Sequence, residues 1–275
     1  MRASSAPIGV FDSGLGGLTV MRSLIDLLPD EPLVYFGDTG RFPYGPKAPD
    51  EVRSHALEIA DLLVAHGAKL LVVACNTAAS VALAEIAARH PVPVMGVIEP
   101  GLRAALRVTR SGRVGVIGTV GTIASGAYQR AAAQAAQAGT RIELTCASCP
   151  GFVELVEAGD VESDQVHVLA ERLLAPVRAA GIDTLVLGCT HYPLLARTIA
   201  DVMGRDVVLV SSADETAFEV RAQLVAASDV PDGVPGSPGP AEHRFYTSGD
   251  TATFRALAER FLGPEVVEVQ RHIWP

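Results

Sequence analysis

Residues 69–78 (KLLVVACNTA) and residues 183–192 (DTLVLGCTHY) decide the fold class of this 275-residue chain. Each stretch is a run of apolar residues that leads into a cysteine, with a threonine one or two positions further on. Runs that are apolar at every position are typical of parallel strands that are buried on both faces. Because helix-period sequence follows each run, both stretches are predicted to be strand–turn–helix units with the cysteine at the carboxyl end of the strand.

The same alternation extends outward over the rest of the chain. Strands are predicted near residues 7–11, 33–37, 70–74, 92–97, 113–117, 141–145, 184–188, 207–210 and 243–246. Helices are predicted near residues 18–28, 50–66, 78–90, 100–110, 122–138, 164–180, 192–203, 212–227 and 250–262. Strand–helix alternation of this length predicts an α/β fold with mainly parallel sheets.

An internal repeat predicts how the chain divides. Residues 7–14 (PIGVFDSG) resemble residues 113–121 (RVGVIGTVG), just as the two cysteine stretches resemble each other. Gly9 and Cys75 are 66 positions apart, and Gly115 and Cys189 are 74 apart. We therefore expect two similar α/β domains related by pseudo-twofold symmetry, residues 1–98 plus 212–275 and residues 99–211, with the active site in the cleft between them. Residues 229–241 (DVPDGVPGSPGPA) are expected to form a surface loop.

Composition excludes several classes of protein. Apolar residues make up 49% of the chain, so a substantial core is expected. The net charge of −9 argues against nucleic acid or an anionic membrane as the main partner. The amino terminus lacks the pattern of a signal peptide, and no apolar run approaches the roughly 18 residues that a transmembrane helix needs. A cytoplasmic location is the default expectation.

The cysteine and lysine content narrows the possible chemistry. Four cysteines are too few for a disulfide scaffold in a chain of this size. Cys146 and Cys149 form a single CxxC pair with no matching second pair, so they are interpreted as structural rather than as a redox or metal site. Lys47 and Lys69 are the only lysines, and neither lies where a pyridoxal phosphate Schiff base would be expected. We expect neither an organic cofactor nor a metal.

Four segments fall at the predicted carboxyl ends of strands, where open α/β sheets bind ligands. They are residues 12–17, 75–77, 118–122 and 189–191. Each is predicted to begin a helix, so backbone N–H groups there can cradle a carboxylate or phosphate. Ser13, Thr77, Thr119 and Thr190 add hydroxyl donors. This pattern predicts a small anionic ligand.

Cys75 and Cys189 are candidates for reactive thiols, although each alone is compatible with a buried core cysteine. The repeat places both at equivalent strand ends beside a helix N-terminus, a location that lowers a thiol's pKa. A substrate carbon held between two facing thiols could lose a proton to one and gain a proton from the other on its opposite face, which inverts the stereocentre. Hydroxyl and N–H donors would stabilise the charge that develops on an adjacent carboxylate.

The sequence resembles the glutamate racemase family over essentially its whole length. The matching stretches are residues 9–18 (GVFDSGLGGL), 37–45 (GDTGRFPYG), 73–78 (VACNTA), 115–122 (GVIGTVGT), 149–157 (CPGFVELVE) and 187–194 (LGCTHYPL). The resemblance implies a cofactor-independent racemase that binds free L- and D-glutamate, supplies D-glutamate for the peptidoglycan of the bacterial cell wall, and forms a homodimer.

The resemblance also implies roles for individual residues. Cys75 matches the thiol that takes the α-proton from D-glutamate, and Cys189 matches the thiol that acts on L-glutamate. Asp12 belongs to the DSG pair near the substrate and is a candidate partner for the ammonium group or for Cys75, and Glu157 matches the acidic helper of the second thiol. His191, beside a thiol, is placed to tune the proton affinity of that thiol. The residues implied to contact substrate are Asp12, Ser13, Tyr44, Gly45, Asn76, Thr77, Thr119, Thr122, Thr190 and His191. The family usually has a proline where this chain has Glu154, which is therefore expected to be an exposed surface residue.

Simpler interpretations remain open for three of these residues. Asp12 could cap the following helix, His191 could be a structural histidine, and Tyr44 could pack in the core. Other functions remain open as well. The cysteine pair does not distinguish a glutamate racemase from an aspartate racemase, because substrate length depends on pocket depth. Two α/β lobes around an amino acid are also typical of a solute receptor, and a regulatory protein that binds a macromolecule is a third alternative.

Overall fold

The computed structural model describes residues 6–227, 241–266 and 268–274. Within them the strands are β1 (Ile8–Asp12), β2 (Leu33–Gly37), β3 (Leu70–Val73), β4 (Val94–Gly96), β5 (Arg113–Gly118), β6 (Glu143–Ser148), β7 (Thr184–Gly188), β8 (Val208–Ser211), β9 (Arg244–Thr247) and β10 (Val269–Arg271). The helices are α1 (Leu18–Leu27), α2 (Pro49–Ala65), α3 (Asn76–Arg89), α4 (Ile98–Val108), α5 (Val120–Ala124), α6 (Ala127–Gln137), α7 (Phe152–Glu157), α8 (Asp164–Ala179), α9 (Ala196–Met203), α10 (Ala213–Ala227) and α11 (Thr251–Leu262). Short 3₁₀ turns cover Thr39–Arg41, Tyr192–Leu195 and Gly263–Glu265.

The strands form two sheets in which every neighbouring pair is parallel. One sheet has the order β10-β9-β2-β1-β3-β4, and the other has the order β6-β5-β7-β8. The second sheet therefore repeats the order β2-β1-β3-β4 of the first, with β5 in the place of β1 and β7 in the place of β3. The α/β fold with two parallel sheets is confirmed, and the two cysteine stretches follow strands that are equivalent in this order.

Each sheet is buried on both faces, as the apolar runs predict. In β1, Phe11 contributes to a core beneath α2 and α3, whereas Ile8 and Val10 contribute to a second core beneath α1, α10 and α11. In β7, Val186 faces the first of these cores, which continues into the second sheet through α4. Leu185 faces a third core beneath α7, α8 and α9. Both sheets are thus held in helix–sheet–helix layers that fix where their strands end.

Several predicted elements differ from the structure. The single helix predicted over residues 122–138 is wrong, because Gly126 has a φ of +71° and separates α5 from α6. The strand predicted over residues 141–145 instead runs to Ser148, because β6 pairs with β5 along its whole length. The helix predicted over residues 192–203 begins with a 3₁₀ turn at Tyr192–Leu195. Sequence patterns also missed the six-residue helix α7 and the edge strand β10.

Two other predictions stand apart from these elements. The predicted surface loop at residues 229–241 lies outside the described residues except for Ala241. The predicted domain limits, residues 1–98 plus 212–275 and residues 99–211, remain a prediction. In the described part of the chain, no helix combines the length and the apolar character that crossing a membrane requires.

We expect Gly188→Ala to destabilise the protein more than Gly96→Ala. A Cβ at Gly188 would lie 2.6 Å from the backbone oxygen of Ile117 in the neighbouring strand, and paired backbone cannot move away. A Cβ at Gly96 would meet the side chain of Leu83 at 2.8 Å, and that side chain can rotate. Overpacking of this kind costs about 1–3 kcal/mol. Urea denaturation measures both losses, and an equal or larger loss for Gly96→Ala would contradict this reading.

Candidate active site

The carboxyl ends of β1, β3, β5 and β7 meet at one cavity with a volume of about 80 Å³. This exceeds the roughly 10–15 Å³ that one water needs, so the cavity can admit a small molecule. The predicted site residues that line it are Asp12, Ser13, Tyr44, Gly45, Cys75, Asn76, Thr77, Thr119, Cys189, Thr190 and His191. Thr122 and Glu157 are not on its wall but touch residues that are.

The first thiol is enclosed at the end of β3. Cys75 precedes the first residue of α3 and is 5% exposed. Its Sγ donates a hydrogen bond to Oγ of Ser13 at 3.6 Å, and Oγ of Ser13 donates to Oδ1 of Asp12 at 3.0 Å. Burial and the nearby negative charge of Asp12 raise the pKa of the Cys75 thiol far above its ordinary value. The expected lowering of this pKa by the helix N-terminus is therefore wrong, because burial and the carboxylate outweigh it.

The second thiol has a different neighbour. Cys189 follows β7, and its Sγ lies 3.8 Å from Nδ1 of His191. Nε2 of His191 lies 2.8 Å from Oε1 of Glu157, which also accepts a hydrogen bond from the backbone N–H of Leu15 at 3.3 Å. Burial alone would lower the pKa of His191, but the hydrogen bonds to Cys189 and Glu157 and the charge of Asp12 raise it to about 10. A charged imidazolium thus lies between the sulfur and a carboxylate at neutral pH.

Asp12 joins the two sides of the cavity. Its Oδ2 accepts a hydrogen bond from Oγ1 of Thr190 at 2.8 Å, and its Oδ1 accepts one from the backbone N–H of Ser13 at 2.5 Å. It does not cap α1, whose N-cap residue is Gly17. The close approach depends on Gly16, because a Cβ there would lie 2.4 Å from Nδ1 of His191 and 2.5 Å from Oγ1 of Thr190.

Three threonines form a hydroxyl cluster at another wall of the cavity. Oγ1 of Thr77, at the start of α3, lies 2.9 Å from Oγ1 of Thr119 and 3.2 Å from Oγ1 of Thr122. Thr119 caps α5 by accepting from the backbone N–H of Thr122. No lysine or arginine is among the described residues that line the cavity. An anion bound beside these threonines would be held by hydroxyl groups and by backbone N–H groups at the start of α3.

Tyr44 packs in the hydrophobic core and also lines the cavity. Its ring is 1% exposed and belongs to the core beneath α2 and α3. Its hydroxyl donates to Oδ2 of the buried Asp38 and not into the cavity. Burial and the charge of Asp38 raise the pKa of this tyrosine well above its ordinary value. The neighbouring Gly45 accepts a hydrogen bond from the N–H of Gly121 at 3.0 Å, which connects this loop to α5.

Sequence reasoning missed part of the cavity wall. The further lining residues are Phe42, Pro43, Pro46, Val120, Cys149, Pro150, Gly151, Val153 and Glu154. Glu154 is exposed as expected, yet it stands at the cavity wall. Cys149 lines the cavity, and burial together with Cys189 raises its pKa to about 12. The family-like stretch that contains both residues was the available signal, but apolar and backbone contacts leave no pattern of their own in a sequence.

The other cysteine and the two lysines discussed from the sequence lie away from the cavity wall. Cys146 is not on the cavity wall and, like the other three cysteines, is free. Neither lysine lines the cavity. Lys47 forms an ion pair with Glu51, and Lys69 forms one with Glu31. Within residues 6–227, 241–266 and 268–274, no three His, Cys, Asp or Glu side chains are grouped so that they could hold a metal ion. The cavity wall includes the thiol of Cys75 and the sulfur of Cys189, which lies beside His191.

We expect the stability of the protein to fall between pH 7 and pH 10 because of His191. Its folded pKa of about 10 lies above the value of about 6.5 expected when unfolded, so its contribution is full below pH 6.5 and is lost as the pH rises through 10. In His191→Gln the fall in the free energy of unfolding over this range should be shallower by up to a few kcal/mol. Urea denaturation at several pH values measures both slopes, and equal slopes would contradict the assignment.

Comparisons with known proteins identify relatives along nearly the whole chain. Residues 8–219 match the family model described as Asp/Glu/Hydantoin racemase. A glutamate racemase from Acidothermus cellulolyticus is 53% identical over 263 residues, which are 96% of this chain and 97% of that protein. The crystal structure of a glutamate racemase isoform from Bacillus anthracis superposes with a TM-score of 0.88 at 40% identity and covers 98% of this chain and 97% of that one.

A second solved structure carries a ligand. The glutamate racemase from Francisella tularensis, in complex with D-glutamate, superposes with a TM-score of 0.86 at 33% identity, and the match covers 98% of each chain.

Proposed function

This chain belongs to the Asp/Glu/hydantoin racemase family, and from that membership we propose that it is a glutamate racemase that moves the Cα proton of glutamate between Cys75 and Cys189. The observation that carries the proposal is that both thiols line one cavity at the ends of equivalent strands. The similar proteins named above act on glutamate by name, and one was crystallised with D-glutamate.

The two thiols differ in a way that suits a transfer between them. With L-glutamate bound, the thiolate form of Cys189, paired with the imidazolium of His191, takes the Cα proton. The thiol of Cys75 then donates its proton to the opposite face of Cα, which gives D-glutamate. The enzyme is left with a thiol at 189 and a thiolate at 75, and the reverse reaction starts from that state. Glu157 holds the imidazolium in place, since it accepts from Nε2.

The carboxylates of the substrate have a matching set of donors. The hydroxyls of Thr77 and Thr119 and the first N–H groups of α3 lie at the cavity. Such donors stabilise charge that grows on the carboxylate as Cα loses its proton. Asp12 and the buried Oδ1 of Asn76, which has no hydrogen-bond partner among the described residues, are acceptors available to the ammonium group. This mechanism uses no cofactor and no metal.

The wider biological role is proposed from the family resemblance. D-glutamate made by this chain would supply peptidoglycan synthesis for the cell wall, and the enzyme would act in the cytoplasm as a homodimer. The cleft would lie between the two predicted domains, so that its closure excludes water and aligns the thiols.

We expect Cys75→Ser and Cys189→Ser each to reduce racemisation by at least about 10²-fold, because a serine hydroxyl is a far weaker acid than a thiol and general acid–base catalysis is worth about that much. Racemisation is followed by optical rotation, and proton transfer by deuterium incorporation at Cα in D₂O from each enantiomer. Cys146→Ser is the matched control, because that thiol does not line the cavity. Near-normal turnover in either cavity variant would reject the two-thiol mechanism.

Substrate identity is tested separately from the mechanism. We expect L-glutamate to racemise with a kcat/KM at least about tenfold above that of L-aspartate, since cavity donors that pair with the distal carboxylate of glutamate would be left unpaired by the shorter substrate. Faster turnover of aspartate would make the chain an aspartate racemase. Binding of glutamate without any deuterium incorporation would instead make it a receptor.

A further inference from the structure

A second buried carboxylate lies outside the cavity and is not used by the proposed mechanism. Asp38 follows β2 and is fully buried. Its Oδ2 accepts from the hydroxyl of Tyr44 and from Nε of Arg41 at 2.7 Å. Its Oδ1 accepts from Oγ of Ser248 at 2.6 Å and from Nε1 of Trp274 at 3.3 Å. Both oxygens are therefore satisfied by donors from separate parts of the chain, which allows the carboxylate to be buried.

Trp274 also covers this carboxylate with its ring. The Cζ atom of Arg41 lies 4.1 Å from the centre of the Trp274 ring, a cation–π contact. The other neighbours of the ring are Phe36, with ring centres 5.4 Å apart, and His272, with ring centres 4.4 Å apart. The indole thus shields the ion pair of Arg41 and Asp38 from solvent while it donates to Asp38 directly.

The same carboxylate fixes the loop that forms one wall of the cavity. Tyr44 and Gly45 line the cavity, and the buried hydroxyl of Tyr44 donates a hydrogen bond to the carboxylate of Asp38. The turn between Asp38 and Tyr44 is anchored to the end of β9 and the residue that follows it. Oγ1 of Thr39 lies 2.6 Å from Oγ1 of Thr247, and the N–H of Gly40 donates to Oγ of Ser248 at 2.8 Å. A substitution of Trp274 would therefore alter the hydrogen bonds of Asp38, and through them the position of Tyr44 at the cavity.

We propose that Trp274 is a positioning residue for substrate binding, which acts through Asp38 on the backbone of Tyr44 and Gly45. This inference rests on the proposed function and adds that the loop of Tyr44 and Gly45, which lines the cavity, contacts the carboxylate of glutamate that is remote from Cα. Contacts to a group that is unchanged in the reaction bind the ground state and the transition state equally. Weakening them should raise KM and leave kcat unchanged.

The test compares three variants with the wild type in the glutamate racemisation assay. Trp274→Ala should raise KM about tenfold, the factor that corresponds to about 1.4 kcal/mol, with kcat within about twofold. Trp274→Phe keeps a ring over Arg41 but removes the donor to Asp38, so its KM should rise by a smaller factor, about threefold. Ile273→Ala is the matched control, because Ile273 directly precedes Trp274 in the chain and is 76% exposed. Its KM should equal that of the wild type.

Thermal melts of all three variants establish that they are folded. If Trp274→Ala does not fold, Trp274→Phe decides the question. A KM within twofold of wild type in folded, active Trp274 variants would overturn the positioning role, and so would a loss of kcat at unchanged KM. These results leave the proposed function intact, whereas a wild-type protein that does not racemise glutamate would overturn both.

Discussion

The hydrogen bond from Thr190 to the buried carboxylate of Asp12 is the contact on which the site depends. A carboxylate that is 1% exposed carries a desolvation cost of several kcal/mol unless donors surround it. Ser13 supplies two of these donors from the same turn, but the donor to Oδ2 comes from the end of β7. Burial of Asp12 therefore requires the carboxyl ends of β1 and β7 to meet. Gly16 makes the approach possible, since a side chain there would occupy the space of His191 and Thr190.

This shared frame gives the two thiols similar positions and opposite electrostatic neighbours. Cys75 shares its surroundings with the negative charge of Asp12, whereas Cys189 lies beside the imidazolium of His191. The proposed proton transfer needs one sulfur with a proton and one without. Two identical surroundings would favour the same protonation state at both sulfurs. The asymmetry is a property of the residues that follow the strands, because the strand order itself is the same in both sheets.

Local sequence patterns predict the elements of this fold well, because apolar periodicity and strand burial are local properties. The repeat even anticipates that β3 and β7 are equivalent. Contacts between distant residues are different: no pattern near His191 indicates that its partner is Glu157, 34 positions earlier. Asp38 likewise resembles any aspartate after a strand, although its donors come from three places in the chain: the loop of Arg41 and Tyr44, Ser248, and Trp274. The expected pKa of Cys75 was wrong because burial raises it most, and because the carboxylate of Asp12 that raises it further is 63 positions away in the sequence.

The described residues that line the cavity include threonines but no lysine or arginine, and the protonation of Cys75 gives a physical reason for this composition. An arginine or lysine would bind a carboxylate more strongly than a hydroxyl does. A fixed cation within about 4–6 Å would also lower the pKa of a neighbouring thiol by about 1–3 units. Such a charge near Cys75 would oppose the burial and the Asp12 charge that raise the pKa of this thiol and keep it protonated. Threonine hydroxyls carry only partial charges, so in the proposed mechanism they can bind a substrate carboxylate and lower the pKa of Cys75 less than a full positive charge would.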